Sequence, residues 1–179
     1  MRSKFEFSIP IAIAVGALAG CGDPTPHLQP RQDGRSATES ARSLAPLTLH
    51  VIAPHTTDRA IESAPGDEHY VWFNPAFHGR RQLFVLMPGT KQHPAIFQLV
   101  TKEAARLGYH AIALMYQDGV AVNAACRAVA DTATCLENTR LAILDGNHLS
   151  PVVTVTPANG INNRLTKLLQ YLDQTYRHA

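Results

Sequence analysis

One stretch limits the possible folds more than any other. Leu83-Phe84-Val85-Leu86-Met87 is an apolar run stopped by Pro88-Gly89, and Ala111-Ile112-Ala113-Leu114-Met115 is a second run that follows Gly108-Tyr109. Neither alternates with polar residues, which is the pattern of strands covered on both faces. Between them, Pro94 to Leu107 reads as a helix. Pro94 suits the first helical position, and Gly108 suits the residue just past the end. Ile96, Leu99, Val100, Ala104 and Leu107 fall on one face, which is expected to pack on the sheet. Strand, turn, helix, strand is a βαβ unit, with Gln82 opening the central strand. The loop Pro88-Gly89-Thr90-Lys91-Gln92 then sits at the carboxyl end of a parallel strand, where open α/β sheets place their chemistry.

The flanking segments extend this unit. Leu47 to Ala53 and Tyr70 to Phe73 read as two strands of antiparallel character, the second closed by Asn74-Pro75. Pro54 to Gly66 reads as a loop or irregular hairpin. Val120 to Leu144 reads as helical, in two pieces around Asp131-Thr132, with Asp145-Gly146-Asn147 as a stop. Val152 to Val155 suits either an edge strand or an extended loop. Ile161, Leu165, Leu168, Leu169, Leu172 and Tyr176 form the apolar stripe of a helix from about Asn162 to Arg177.

The amino terminus has the features of a targeting segment. Arg2 and Lys4 precede an apolar run from Phe7 to Leu18, too short to span a bilayer. The run ends Leu18-Ala19-Gly20-Cys21, which resembles a bacterial lipobox whose cysteine is lipidated. The expected organisation is a lipoprotein signal peptide over 1–20, a disordered tether over 21–45 poor in large apolar groups, and one domain over 46–179. A lipid anchor on Cys21 would tie the chain to the membrane of the cell envelope, facing the periplasm or the outer surface. Cys126 and Cys135 then remain. In an exported compartment they are expected to pair, the alternative being two buried thiols.

Composition narrows the function. The chain is 45% hydrophobic and 17% charged, with a net charge of +2. No basic stripe interleaves with aromatics, so nucleic acid is not an expected partner. Nine histidines are present, yet there is no His-Glu-x-x-His and no Cys-x-x-Cys, and no metal or cofactor is expected. His93 and His110 read as structural or solvated. Asp67-Glu68-His69 reads as an exposed turn, and Ser150, in His148-Leu149-Ser150-Pro151, as a loop serine.

From about Leu83 to Tyr171 the chain resembles the amino-terminal half of the α/β-hydrolase fold. The residues that carry the likeness are Leu83 to Thr90 with Pro94, Ala104 to Tyr116, Cys126, Cys135, Arg140, and Arg164 to Leu172. The resemblance implies a partial α/β sheet, mixed but mostly parallel, with flanking helices. It also implies an oxyanion-hole donor at Gly89 and Thr90, the Thr90 N–H aimed at the developing charge. The family's Gly-x-Ser-x-Gly elbow does not occur in this sequence. Nucleophile, acid and base would all lie beyond Ala179, so the 179 residues contain no catalytic residue and are expected to be inactive alone. A small carboxylic ester is the expected substrate of a full-length form. The alternative is a non-catalytic envelope lipoprotein that binds a ligand or protein.

Overall fold

The computed structural model describes residues 45–62, 67–77 and 82–176. Cys21, the leader and most of the tether lie outside the described residues. The elements are β1 (Thr48–Ile52), α1 (Pro54–Thr57), β2 (His69–Phe73), β3 (Leu83–Leu86), a 3-10 turn (Pro94–Phe97), α2 (Gln98–Arg106), β4 (His110–Ala113), α3 (Val122–Cys126), α4 (Thr132–Asp145), a second 3-10 turn (Pro157–Asn159) and α5 (Ile161–Tyr176).

Four strands form one mixed sheet in the order β1-β2-β4-β3. β1 with β2 and β2 with β4 are antiparallel, and β3 with β4 is parallel. The βαβ unit and the antiparallel pair before it are therefore as expected. The sheet is not mostly parallel, however, because β2 opposes both of its neighbours. Nor is β3 central: β4 takes the interior, and β3 lies at the edge among the described strands. Burial agrees with this order. Ala111 to Met115 are all buried, whereas Leu83 and Met87 are 41% and 53% exposed.

Register sorts the side chains between the two faces. His50, Val71, Ile112 and Val85 are aligned across the four strands, as are Leu49, Trp72, Ala111 and Phe84. Neighbours along a strand point to opposite faces, so these are two rows on two faces. Val71 and Ile112 pack with Ile52, Leu114 and Leu168, with Val85 against them; this is the α5 face. Trp72 and Phe84 pack around Ala111, Ala104 and Ala105; this is the α2 face.

Helix α2 turns a different side to the sheet than its pattern suggests. Thr101, Ala104 and Ala105 are buried, while Ile96, Leu99, Val100 and Leu107 are 62%, 79%, 51% and 42% exposed. Small side chains let the helix backbone approach Trp72 and Ala111 closely, and the Lys102 ammonium reaches 5.5 Å from the Trp72 ring centroid. The large apolar residues are left facing outward.

The remaining turns follow local chemistry. Gly108 and Gly146 end α2 and α4 at positive φ (89° and 73°), which a side chain would strain. A Cβ at Gly146 would also lie 2.3 Å from the Thr156 carbonyl carbon. Asp131 caps α4 by accepting the Thr134 N–H at 3.0 Å, which splits the helical region where expected. Val152 to Val155 form no strand. The Ser150 hydroxyl oxygen accepts the Val152 and Val153 N–H groups, and Val153 and Val155 pack on Ala142. Among the described residues no helix is long and apolar enough to cross a membrane.

Candidate functional site

The site is built where β3 and β4 end side by side. Ladder pairing continues one step past β4, the Leu114 N–H donating to the Leu86 carbonyl at 2.9 Å. The chain after β3 then turns through Pro88 to Gln92, and the chain after β4 runs through Tyr116 to Asp118.

The second segment holds the first in place. The Tyr116 hydroxyl donates to the Pro88 carbonyl at 2.6 Å. The Lys91 N–H donates to the Asp118 carbonyl at 3.1 Å, and the Gln92 N–H donates to the Asp118 carboxylate at 3.1 Å. Within the turn, the Gln92 N–H also reaches the Gly89 carbonyl at 3.0 Å, and the Gly89 N–H donates to the Gln92 side-chain carbonyl at 3.2 Å. Lys91 takes φ 57°, unusual for a residue with a side chain and held by these bonds.

Three of the four amides from Gly89 to Gln92 are thus satisfied. The fourth, on exposed Thr90, makes no hydrogen bond among the described residues. Gly89 and Thr90 are the positions expected to supply an oxyanion donor, and Thr90 alone has its amide available.

Burial pushes the Asp118 carboxyl up, and the Gln92 N–H opposes that push. Burial also raises the Tyr116 phenol, with the Asp118 charge adding to it. Both groups have long-range roles that no local sequence signal carries, and both were missed from sequence. His93, whose ring Nδ1 lies 2.7 Å from the Asp67 carboxylate, flanks the loop as an exposed pair.

Asp67-Glu68-His69 is not an exposed turn. His69 opens β2 and is fully buried. Its Nδ1 accepts the Met115 N–H at 2.9 Å, so Nε2 carries the proton, and burial followed by the nearby Arg164 charge lowers its pKa to about 3. Arg164, buried on α5, donates to the Met115 carbonyl at 3.3 Å and to the Asn159 carbonyl and side chain at 3.0 and 3.1 Å. Burial lowers its pKa to about 10. The Met115 main chain is thereby held at both its N–H and its carbonyl, one residue before Tyr116.

Cys126 and Cys135 form a disulfide that ties α3 to α4. The Thr139 hydroxyl lies 3.7 and 3.9 Å from the two sulfurs and 2.8 Å from the Ser150 hydroxyl. Ser150 is thus a loop serine with structural partners. A shallow cleft of about 290 Å³ separates the loop from this hairpin, lined by Thr90, Ala121, Val122, Asn123 and Arg140. A larger groove of about 370 Å³ lies at the other end of β3, bordered by Leu83, His110, Phe73 and Tyr176, and does not include the loop. No group of three or more potential metal ligands occurs among the described residues. Compared with known proteins, the chain matches no family model, no curated protein and no solved structure.

Proposed function

We propose that residues 46–179 are the oxyanion-donor part of an exported serine hydrolase of α/β-hydrolase type, acting on carboxylic esters and held to the envelope membrane by lipid on Cys21. The observation that carries this reading is the Thr90 N–H. It is exposed and unbonded in a turn whose other three amides are occupied. Its position after the third strand and before a helix is where such enzymes place one oxyanion amide. A donor held in place before reaction needs no reorganisation when charge develops, and one such donor is worth about 3–4 kcal/mol in a working site.

The sequence has no Gly-x-Ser-x-Gly, so the nucleophile of this reading comes from polypeptide outside residues 1–179. The purified chain is expected to leave p-nitrophenyl butyrate unhydrolysed above buffer. Translation of the DNA downstream of Ala179 in all three frames tests the reading directly. A strand followed by Gly-x-Ser-x-Gly is expected, and its absence from every frame would sink the proposal. Co-expressed with that segment, Thr90→Pro should lower turnover by about 10²–10³ and Thr90→Ala, which keeps the amide, should not.

The groove beside β1 and α5 favours a second reading, a non-catalytic envelope lipoprotein. His50 stacks on Tyr176 at 3.8 Å there, among Phe73, Phe77 and Leu172, as a wall for an apolar ligand would be built. Downstream frames without the serine motif, together with saturable binding of an apolar ligand, would select it.

A further inference from the structure

The cleft beside Thr90 has an unusual polar inventory. Its polar lining residues are Arg140, Asn123 and Thr90, with Ala121 and Val122 as the apolar remainder. No carboxylate belongs to it. Arg140 donates to the Asn123 side-chain carbonyl at 3.2 Å. The Asn123 amide nitrogen makes no hydrogen bond among the described residues, and no acid there lies within ion-pair distance of Arg140. The groups left over are a cation with spare N–H donors, an amide NH₂ and a free backbone N–H.

The geometry points to a carboxylate-binding subsite on Arg140 and Asn123, placed so that an ester carbonyl of the same molecule reaches the Thr90 N–H. A single guanidinium matches a monoanion in charge, and its planar fork matches a carboxylate in shape. The volume of about 290 Å³ suits a small acyl group rather than a long chain. The disulfide keeps the two donors in register, because Asn123 lies on α3 and Arg140 on α4, the helices it joins. The substrate class is therefore a short ester carrying a free carboxylate. The ester half of this proposal rests on the oxyanion reading of Thr90, while the carboxylate half rests on the cleft alone.

Monomethyl succinate carries both groups and serves as the probe, with dimethyl succinate as the neutral control. The full chain is titrated at constant ionic strength while the Arg140 side-chain N–H, Asn123 side-chain NH₂ and Thr90 backbone N–H resonances are followed. Saturable shifts of all three are expected, with Kd on the order of millimolar, for monomethyl but not dimethyl succinate. Arg140→Gln and Asn123→Ala should each weaken binding, the former about tenfold or more, while Arg127→Gln, an exposed arginine of the same hairpin, should not. Arg140 and Asn123 resonances that stay still or move equally with dimethyl succinate, or Asn123 resonances that move equally in Arg140→Gln, would overturn the subsite. Shifts at Arg140 and Asn123 with Thr90 unmoved would keep the carboxylate site and overturn the oxyanion reading instead.

Discussion

Asp118 grips Gln92 from 26 residues away, its carboxylate accepting the Gln92 N–H at 3.1 Å while its own carbonyl accepts the Lys91 N–H. Asp118→Ala removes the carboxylate acceptor and is expected to cost about 1–2 kcal/mol. Amide hydrogen exchange at Lys91 and Gln92 should speed up with it. Burial raises the Asp118 pKa, so its contribution to stability is present at low pH and is lost as pH rises through the folded value. Asp118→Asn is neutral throughout and still accepts a hydrogen bond. It is expected to match or exceed the parent in urea unfolding at neutral pH.

His69 makes the fold sensitive to mild acid. Its folded pKa of about 3 lies below the unfolded value, so its stability contribution is full above the unfolded pKa and is lost as pH falls toward the folded one. Between about pH 6.5 and pH 5 the loss should be roughly 2 kcal/mol, and burial of His50 adds to it in the same direction. His69→Gln keeps an acceptor for the Met115 N–H and does not titrate. Urea midpoints measured across this window should slope in the parent and flatten in the variant.

The disulfide closes a short loop, the two cysteines being 9 residues apart. Replacing both with alanine should lower stability by about 2–3 kcal/mol on the chain-entropy account. Reducing agent should reproduce the drop in the parent and leave the double variant unchanged. A parent melting curve insensitive to reductant would count against the bridge.

How far these features could be read from sequence depended on range. The βαβ unit was legible because Pro88-Gly89, Pro94 and Gly108 punctuate it locally, and Asp131 and Gly146 bracket α4 in the same way. The packing face of α2 was not. Its periodicity marks Ile96, Leu99, Val100 and Leu107 as one stripe, but Thr101, Ala104 and Ala105 hold the close contact with the sheet. A stripe reports that one face is apolar and says nothing about which neighbour meets it. His69 was hidden by its acidic neighbours Asp67 and Glu68. The Thr90 turn was found from its prolines and glycines. The residues that hold it, Tyr116 and Asp118, bond to it from 28 and 26 residues away in sequence and leave no local pattern.

The outward stripe on α2 has a consequence for solution behaviour. Leu99→Lys and Ile96→Lys should change unfolding free energy by less than about 0.5 kcal/mol, since neither side chain is buried. Together they should reduce self-association in sedimentation velocity, because exposed apolar patches and sheet edges promote it. A loss of stability comparable to a core substitution would show that this face is covered in solution.

The donor on which the oxyanion proposal rests belongs to the main chain. Every residue but proline offers the same N–H at position 90, and the Thr90 side chain makes no hydrogen bond among the described residues. Position 90 is therefore free to drift under the oxyanion proposal, whereas Asp118 and Tyr116, whose side chains hold the turn, carry the constraint for it. Under that proposal a substitution scan would tolerate changes at Thr90 better than changes that remove the Tyr116 and Asp118 hydrogen bonds to the turn, so tolerance to change would not locate the proposed donor.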